Sequence, residues 1–356
     1  MSSGDGDSRV AGDPADLLLA VDGLQKHFRV HGSKSVLQAC NNVSFEVRRG
    51  ETFGIVGESG SGKSTLGRCV LRLLEPSGGL IEFQGHELGA LSKRELRLLR
   101  KDMQIVYQEP MESLNPLWRI GNQITEPLRN FTSMSKAERH ARAVELLGFV
   151  GLRPEVADAL PGALSTGMQQ RCSIARAIAA EPKLIVLDEP TSALPPETET
   201  DIVTLLGDLQ ERLDLSYIFI SHDLALVRRF CDRVAVMYLG QVVEIADRDE
   251  LFARPRHPYT QGLLGSTLTP NPRARVGRGD RRVRLEGEIP SPIDLPEGCF
   301  LASRCPFVLE RCQSEFQELR VLSDRHQTRC WRAAEGDLEL APEDQDVPAS
   351  SREEAG

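Results

Sequence analysis

Apolar and polar positions alternate along residues 17–30 and again along 42–47, the period-two pattern of half-buried strands, and together they predict an antiparallel β subdomain. Residues 52–56 (TFGIV) break that alternation with a fully apolar run, as expected of a strand covered on both faces. The run enters a glycine-rich turn, and from 64 to 74 apolar residues recur at helical spacing. From 92 to 151 the pattern is mostly helical, and residues 136–150, after the capping serine Ser135, form its clearest amphipathic helix. Buried-type strands resume at 183–187 (KLIVL) and 216–221 (SYIFIS), separated by the helical run 197–212. Alternating strands and helices predict an α/β protein with a parallel, doubly wound core and a helical insertion. Pro270, Pro272 and an arginine-rich stretch mark a boundary before a short cysteine-rich segment, and no internal repeat is present.

Composition narrows the classes. The 356 residues are 40% hydrophobic and 27% charged, enough for two or three folding units with a buried core. No apolar stretch approaches the roughly 20 residues of a membrane span. Residues 1–16 lack the apolar segment of a secretory signal, so a solvated leader and a cytoplasmic chain are expected. The net charge of −9 resides in the tails: residues 1–16 hold four Asp against one Arg, and 335–356 hold eight acids against Arg352, leaving 17–334 at about +1. So neutral a body offers no electrostatic footprint for nucleic acid. The basic cluster Arg273, Arg275, Arg278, Arg281, Arg282 and Arg284 reads as a solvated linker, with lipid head groups or an acidic partner face as the alternative.

The glycine-rich turn holds the sharpest chemistry. Gly57, Glu58, Ser59, Gly60, Ser61, Gly62, Lys63, Ser64 and Thr65 fit G-x-x-x-x-G-K-[ST] between a buried-type strand and a helix. Glycines let successive backbone N–H groups turn toward a phosphate, and the following helix adds its positive dipole end. In this pattern Lys63 reaches the β- and γ-phosphates of ATP and Ser64 ligates Mg²⁺. A second apolar run ends in Asp188 and Glu189. A carboxylate ending a buried strand beside a phosphate loop is where Mg²⁺ finds an indirect ligand, which suits Asp188, while Glu189 is placed to polarise the attacking water.

The stretches VGESGSGKSTLGR (56–68), QIVYQEPMESLNP (104–116), LSTGMQQRCSIARA (164–177), LIVLDEPTSAL (184–194) and FISHDLALVR (219–228) together resemble an ATP-binding-cassette (ABC) ATPase. HPYTQGLL (257–264), then GEIPSP and four cysteines, resemble the extension found in the ATP-binding subunits of oligopeptide/dipeptide importers. The resemblance spans about residues 17–332 and implies a P-loop NTPase ABC nucleotide-binding domain, with a RecA-like parallel core, an antiparallel β subdomain, a helical subdomain and a small Cys-rich carboxy-terminal extension. It implies that Phe28 stacks on adenine, that Gln108 touches Mg²⁺ and senses the permease, and that His222 holds the γ-phosphate and attacking water. Ser165, Thr166, Gly167 and Met168 correspond to the signature presented to the partner's ATP. The implied partners are a second ABC ATPase subunit, two transmembrane permease subunits and an extracytoplasmic solute-binding protein, with this chain peripheral on the cytoplasmic face of the membrane.

Two places depart from the family pattern. Thr166 stands where the signature has glycine, and its β-branch restricts the backbone there. Pro195 stands where an aspartate is expected in the next loop; it lacks the carboxylate and the backbone donor. Both fall on groups offered to the partner, which suggests an asymmetric heterodimer. The alternatives are a largely idle ATP-binding partner and a soluble ABC ATPase acting on nucleic acid or ribosomes, the latter disfavoured by the neutral body and the lack of sustained heptads.

Of eight cysteines, Cys40, Cys69, Cys172 and Cys231 sit in apolar or helical segments as small hydrophobes. Cys299, Cys305, Cys312 and Cys330 crowd into 32 residues without a C-x-x-C pair. Four thiolates can hold a [4Fe–4S] cluster as a structural staple, with zinc, disulfides and inert thiols as alternatives. The expected layout is a leader (1–16), the nucleotide-binding domain (17–269, helical subdomain about 110–180), an Arg-rich linker (270–284), the Cys-rich extension (285–332) and an acidic disordered tail (333–356).

Overall fold

The computed structural model describes residues 16–266 and 283–338. Of the leader it includes Asp16, of the linker Val283 and Arg284, and of the tail residues 333–338; the remainder of those three stretches lies outside the described residues.

The amino end forms two long strands, β1 (Leu17–Arg29) and β2 (Val36–Arg48), paired antiparallel. After β3 (Thr52–Val56), strands β4 (Gly78–Phe83) and β5 (His86–Glu87) complete a four-stranded antiparallel sheet in the order β2-β1-β4-β5. A larger sheet is built on β3 from β6 (Met103–Val106), β7 (Leu184–Asp188), β8 (Ser216–Ser221), β9 (Arg233–Tyr238), β10 (Gln241–Asp247), β11 (Arg320–Ser323) and β12 (His326–Thr328). Its order is β11-β12-β10-β9-β3-β8-β7-β6, parallel from β9 to β6 and antiparallel from β9 to β11.

The apolar runs are continuous because both faces of the parallel strands are covered. Leu184, Val186, Ile218 and Ile220 face the core shared with the antiparallel sheet and the helix Lys63–Val70. Ile185, Leu187, Tyr217 and Phe219 face the opposite core, built with the helices Thr166–Ile178 and Pro196–Leu213. The predicted helix at 136–150 is present as Lys136–Phe149, with Ser135 and Glu138 in a reciprocal capping box. Within the region read as mostly helical, β6 is a strand: four residues are too few to display a period, and parallel pairing of Met103–Val106 with Leu184–Leu187 decides its conformation.

The cysteine-rich extension joins the main sheet. β12 pairs with β10 through Thr328 opposite Glu244, and β11 follows at the edge. Glu244, with no exposed surface, anchors this junction by accepting from the backbone N–H groups of Arg256 (Oε1, 2.6 Å) and His257 (Oε2, 2.9 Å), with His326 Nε2 also 2.6 Å from Oε1. Arg329, 3% exposed, donates to the carbonyls of Val242, Gln317 and Asn42. A buried charge is tolerated only when its donors are matched in this way.

Candidate functional site

In parallel sheets ligands collect at the carboxyl ends of the strands. Here β3, β8 and β7 are neighbours, so their carboxyl ends bring together the loop after Val56, the acids after Leu187 and the Ser221–His222 step.

The phosphate loop is shaped by close backbone approach. A Cβ on Gly57 would stand 2.1 Å from the Met237 carbonyl oxygen, and one on Gly62 (φ 101°) 2.1 Å from that of Ala39, so only glycine fits either position. Gly62 caps the helix Lys63–Val70, whose amino end faces the loop. Lys63, 5% exposed, curls back to donate to the carbonyls of Gly57 (2.9 Å) and Glu58 (3.0 Å). Burial pushes its pKa down, opposed by the charges of Glu189, Asp188 and Glu58. Ser61 is buried, and its hydroxyl has no partner. Ser59 and Gly60 are exposed at the tip, and Thr65 is half-buried.

Ser64 Oγ donates to Asp188 Oδ1 at 2.7 Å, joining two residues 124 positions apart. Asp188 is 2% exposed; burial raises its carboxyl pKa, opposed by the Ser64 hydroxyl and then by Arg68, whose guanidinium lies 4.0 Å away. Next to it, Glu189 has φ 47° and donates its N–H to the Ile220 carbonyl. This turn aims its carboxylate at two side chains: Gln108 Nε2 donates at 3.3 Å, and His222 Nδ1 lies 3.1 Å away. The cluster is open on one side, since the His222 side chain is 60% exposed. Asp223 fixes the chain just beyond by capping the helix Leu224–Phe230. Phe28 pairs with Leu37 across β1 and β2, two residues from the Ala39 that packs on Gly62; its half-exposed ring lies under Lys26 Nζ at 4.8 Å.

Ser165, Thr166, Gly167 and Met168 sit apart from this cluster, at the amino end of the helix Thr166–Ile178. Ser165 and Thr166 are exposed, Ser165 capping the helix by accepting from Met168 N at 3.4 Å. Pro195 similarly precedes the exposed start of the helix Pro196–Leu213, as a cap without a side-chain hydrogen bond.

Cys299, Cys305, Cys312 and Cys330 line one cavity of about 20 Å³, space for a single water-sized group. Trp331 Nε1 donates to Cys312 Sγ at 3.3 Å. Burial pushes the thiols of Cys299 and Cys305 up to about 12 and about 11. All eight cysteines are free thiols, which removes the disulfide alternative. Among the described residues no group of three or more His, Cys, Asp or Glu is arranged to hold a metal ion, so the zinc alternative finds no support in the arrangement of the thiols. The iron–sulfur expectation likewise finds no support in the arrangement of the thiols.

Two contacts to the loop escape any reading of the motif. Glu58 N donates to Tyr259 Oη at 3.0 Å, and Arg304 Nη1 lies 3.4 Å from Glu58 Oε2. Tyr259 and Arg304 are 201 and 246 residues away in the chain, and no local pattern marks a tyrosine hydroxyl or an arginine as a loop support.

The loop, the buried aspartate and the Gln108–Glu189–His222 cluster define a nucleotide-binding cassette. Residues 40–192 match the family described as ABC transporter, and residues 243–312 match the family described as oligopeptide/dipeptide transporter, C-terminal region. The chain is 31% identical to a solved ATP-binding cassette, MJ0796, described as dimeric and in a post-hydrolysis state bound to ADP and Pi; the match covers 65% of this chain and 99% of that one with a TM-score of 0.60. It is 44% identical to a probable peptide ABC transporter ATP-binding protein, y4tS, of Sinorhizobium fredii, over 89% of this chain and 90% of the relative. It is 41% identical to the di/tripeptide transport ATP-binding protein DppF of Pseudomonas aeruginosa (89% and 98% covered) and 43% identical to the oligopeptide transport ATP-binding protein AppF of Bacillus subtilis (83% and 89%). The chain belongs to the ATP-binding subunits of peptide-type ABC transporters.

Proposed function

We propose that this chain hydrolyses ATP to power uptake of peptides or similar small solutes through separate permease subunits. The observation that carries the reading is the convergence of Ser64 on Asp188 and of Gln108 and His222 on Glu189 at the carboxyl ends of adjacent strands. In this reading Lys63 moves from the Gly57 and Glu58 carbonyls onto the β- and γ-phosphates. The paired oxygens of Ser64 and Asp188 are hard donors suited to Mg²⁺, a cation that completes its shell from phosphates and water. That cation, when bound, neutralises charge on the phosphates. Glu189 orients the attacking water and accepts its proton as oxygen bonds to the γ-phosphorus and the bond to ADP breaks; His222 and Gln108 fix Glu189 and face the same water. Phe28 offers the ring on which adenine stacks.

The assembly proposed is a pair of ABC ATPase subunits on two permease subunits, supplied by an extracytoplasmic solute-binding protein, with this chain peripheral on the cytoplasmic face. No described helix is long and apolar enough to cross a membrane, so attachment falls to the permease. A cleft of about 880 Å³ after Gln108, lined by Leu117 (84% exposed), Trp118, Arg119, Arg129 and Arg139, suits a permease segment with apolar and acidic side chains. Thr166 and Pro195 favour a heterodimer in which the site completed by this chain's signature is the slower one. We also propose, on the number of thiols sharing one cavity alone, that the four cysteines of the extension bind a [4Fe–4S] cluster; brown, iron-containing protein from anaerobic purification supports this, and colourless iron-free protein overturns it.

The test is ATP hydrolysis by the chain purified with its membrane partners, with and without Lys63→Ala. Loss of activity supports this site as the centre of turnover. Unchanged activity makes the partner's site the engine and this one a regulatory nucleotide clamp.

A further inference from the structure

Glu58 is the first variable residue of the phosphate loop, and each of its polar groups is engaged. Its carbonyl accepts from Lys63 Nζ at 3.0 Å and from Ser61 N at 3.2 Å, both inside the loop. Its N–H and its carboxylate are held from outside, by Tyr259 Oη at 3.0 Å and Arg304 Nη1 at 3.4 Å. Tyr259 and Arg304 both lie within the stretch matched as the transporter C-terminal region, so the two matched regions of the chain meet on this residue.

The supports are themselves rigid. Tyr259 has no exposed surface, its ring lies 4.6 Å from that of Tyr238, and its backbone N–H donates to His257 Nδ1 at 3.2 Å. His257 is pinned in turn by Glu244, the buried anchor of the extension. The Arg304 side chain is 10% exposed, with its guanidinium over the Tyr238 ring at 5.9 Å. Tyr238 directly follows Met237, whose carbonyl excludes any side chain at Gly57. The loop is therefore walled by the Met237–Tyr238 backbone and tied at Glu58 by two side chains of the matched C-terminal region, Tyr259 and, from the extension, Arg304. A phosphate cradle works by presenting N–H groups already aimed at the ligand, since ordering them on binding costs affinity. Turning the Glu58 N–H outward onto Tyr259 sets the peptide plane that the rest of the loop continues.

We infer that Tyr259 and Arg304 are positioning residues for ATP, so that the region matched as the transporter C-terminal region is a working part of the nucleotide site as well as an appendage to the sheet. The inference rests on Gly57–Ser64 being the phosphate loop proposed above. One hydrogen bond is at stake in each case, so loss of either should raise KM for MgATP by about 3- to 10-fold, with kcat changed less than about 2-fold.

The experiment measures KM and kcat for MgATP, and binding of a fluorescent ATP analogue, on the full chain purified with its membrane complex. Tyr259→Phe keeps the buried ring and removes the hydroxyl; Arg304→Ala removes the guanidinium and Arg304→Lys returns a charge. The inference expects raised KM in Tyr259→Phe and Arg304→Ala, partial rescue in Arg304→Lys, and no added effect of Arg304→Ala in a Glu58→Gln background. It is overturned if KM stays within 2-fold in both single variants, or if Arg304→Ala costs as much without the Glu58 carboxylate as with it. Lys63→Ala separates the two levels: if that variant still binds the analogue normally, the phosphate-loop reading itself fails and the inference with it.

Discussion

The residues proposed to hold this chain's own nucleotide and those proposed to face a partner are built differently. Lys63 and Asp188 are 5% and 2% exposed, tied to neighbours at 2.7–3.0 Å, and framed by glycines that admit no substitute. Ser165, Thr166 and Pro195 sit at exposed helix starts, with one 3.4 Å capping bond among them. A site that must bind charged phosphates within one subunit is preorganised by burial and by contacts from distant parts of the chain. In the proposed assembly a surface completed by another protein is left open until that protein arrives, and threonine and proline at these exposed helix starts replace the expected glycine and aspartate without disturbing the fold.

The most direct way to break this contrast is Glu189→Gln. Loss of the base should lower ATPase activity of the assembled complex by about 100-fold or more, measured as phosphate release. If the partner's equivalent substitution alone stops turnover, the assignment of the faster site is reversed. Gly62→Ala attacks the frame: its Cβ meets the Ala39 carbonyl at 2.1 Å with φ 101°, and a loss of about 3 kcal/mol in chemical unfolding is expected. A stability change under 1 kcal/mol would show that the loop is softer than its contacts suggest.

Acid should undermine the nucleotide side from behind. Burial, aided by the Arg329 charge, lowers the pKa of His257 from 6.5 to about 3. The unfolded chain takes up a proton below 6.5 that the folded chain refuses until about 3, so this contribution is complete above 6.5 and is lost as pH falls across that window, at up to about 1.4 kcal/mol per pH unit. Urea unfolding between pH 7 and 5 should give a shallower dependence for His257→Gln than for the wild type; equal slopes would remove His257 from the account. The smallest effect is expected on the open side. Thr166→Gly with Pro195→Asp restores the residues the family pattern expects and should raise complex ATPase activity about 2- to 5-fold, since only the slower site gains, an effect below about 1 kcal/mol. No change would mean that the partner's site does not depend on these two positions.

The chemistry of the cassette was legible in the sequence because its parts are local: a loop of nine consecutive residues after an apolar strand, two acids at the end of another, and a Ser-His-Asp step after a third. Each consists of residue types whose conformational freedom or charge is unusual for its place, and the order of strands and helices already fixed a parallel core. β6 was not legible, since four residues acquire their conformation from pairing with β7. Nor was the sharing of Glu58 among Lys63, Tyr259 and Arg304, or the insertion of β12 beside β10. Sequence by itself marked the residues proposed to bind phosphate, hold a cation and activate water, because such capacities belong to side chains and short backbone stretches. Tertiary structure decided which distant groups brace them, because Tyr259 and Arg304 lie 201 and 246 residues from Glu58 and the chain carries no local sign of such packing.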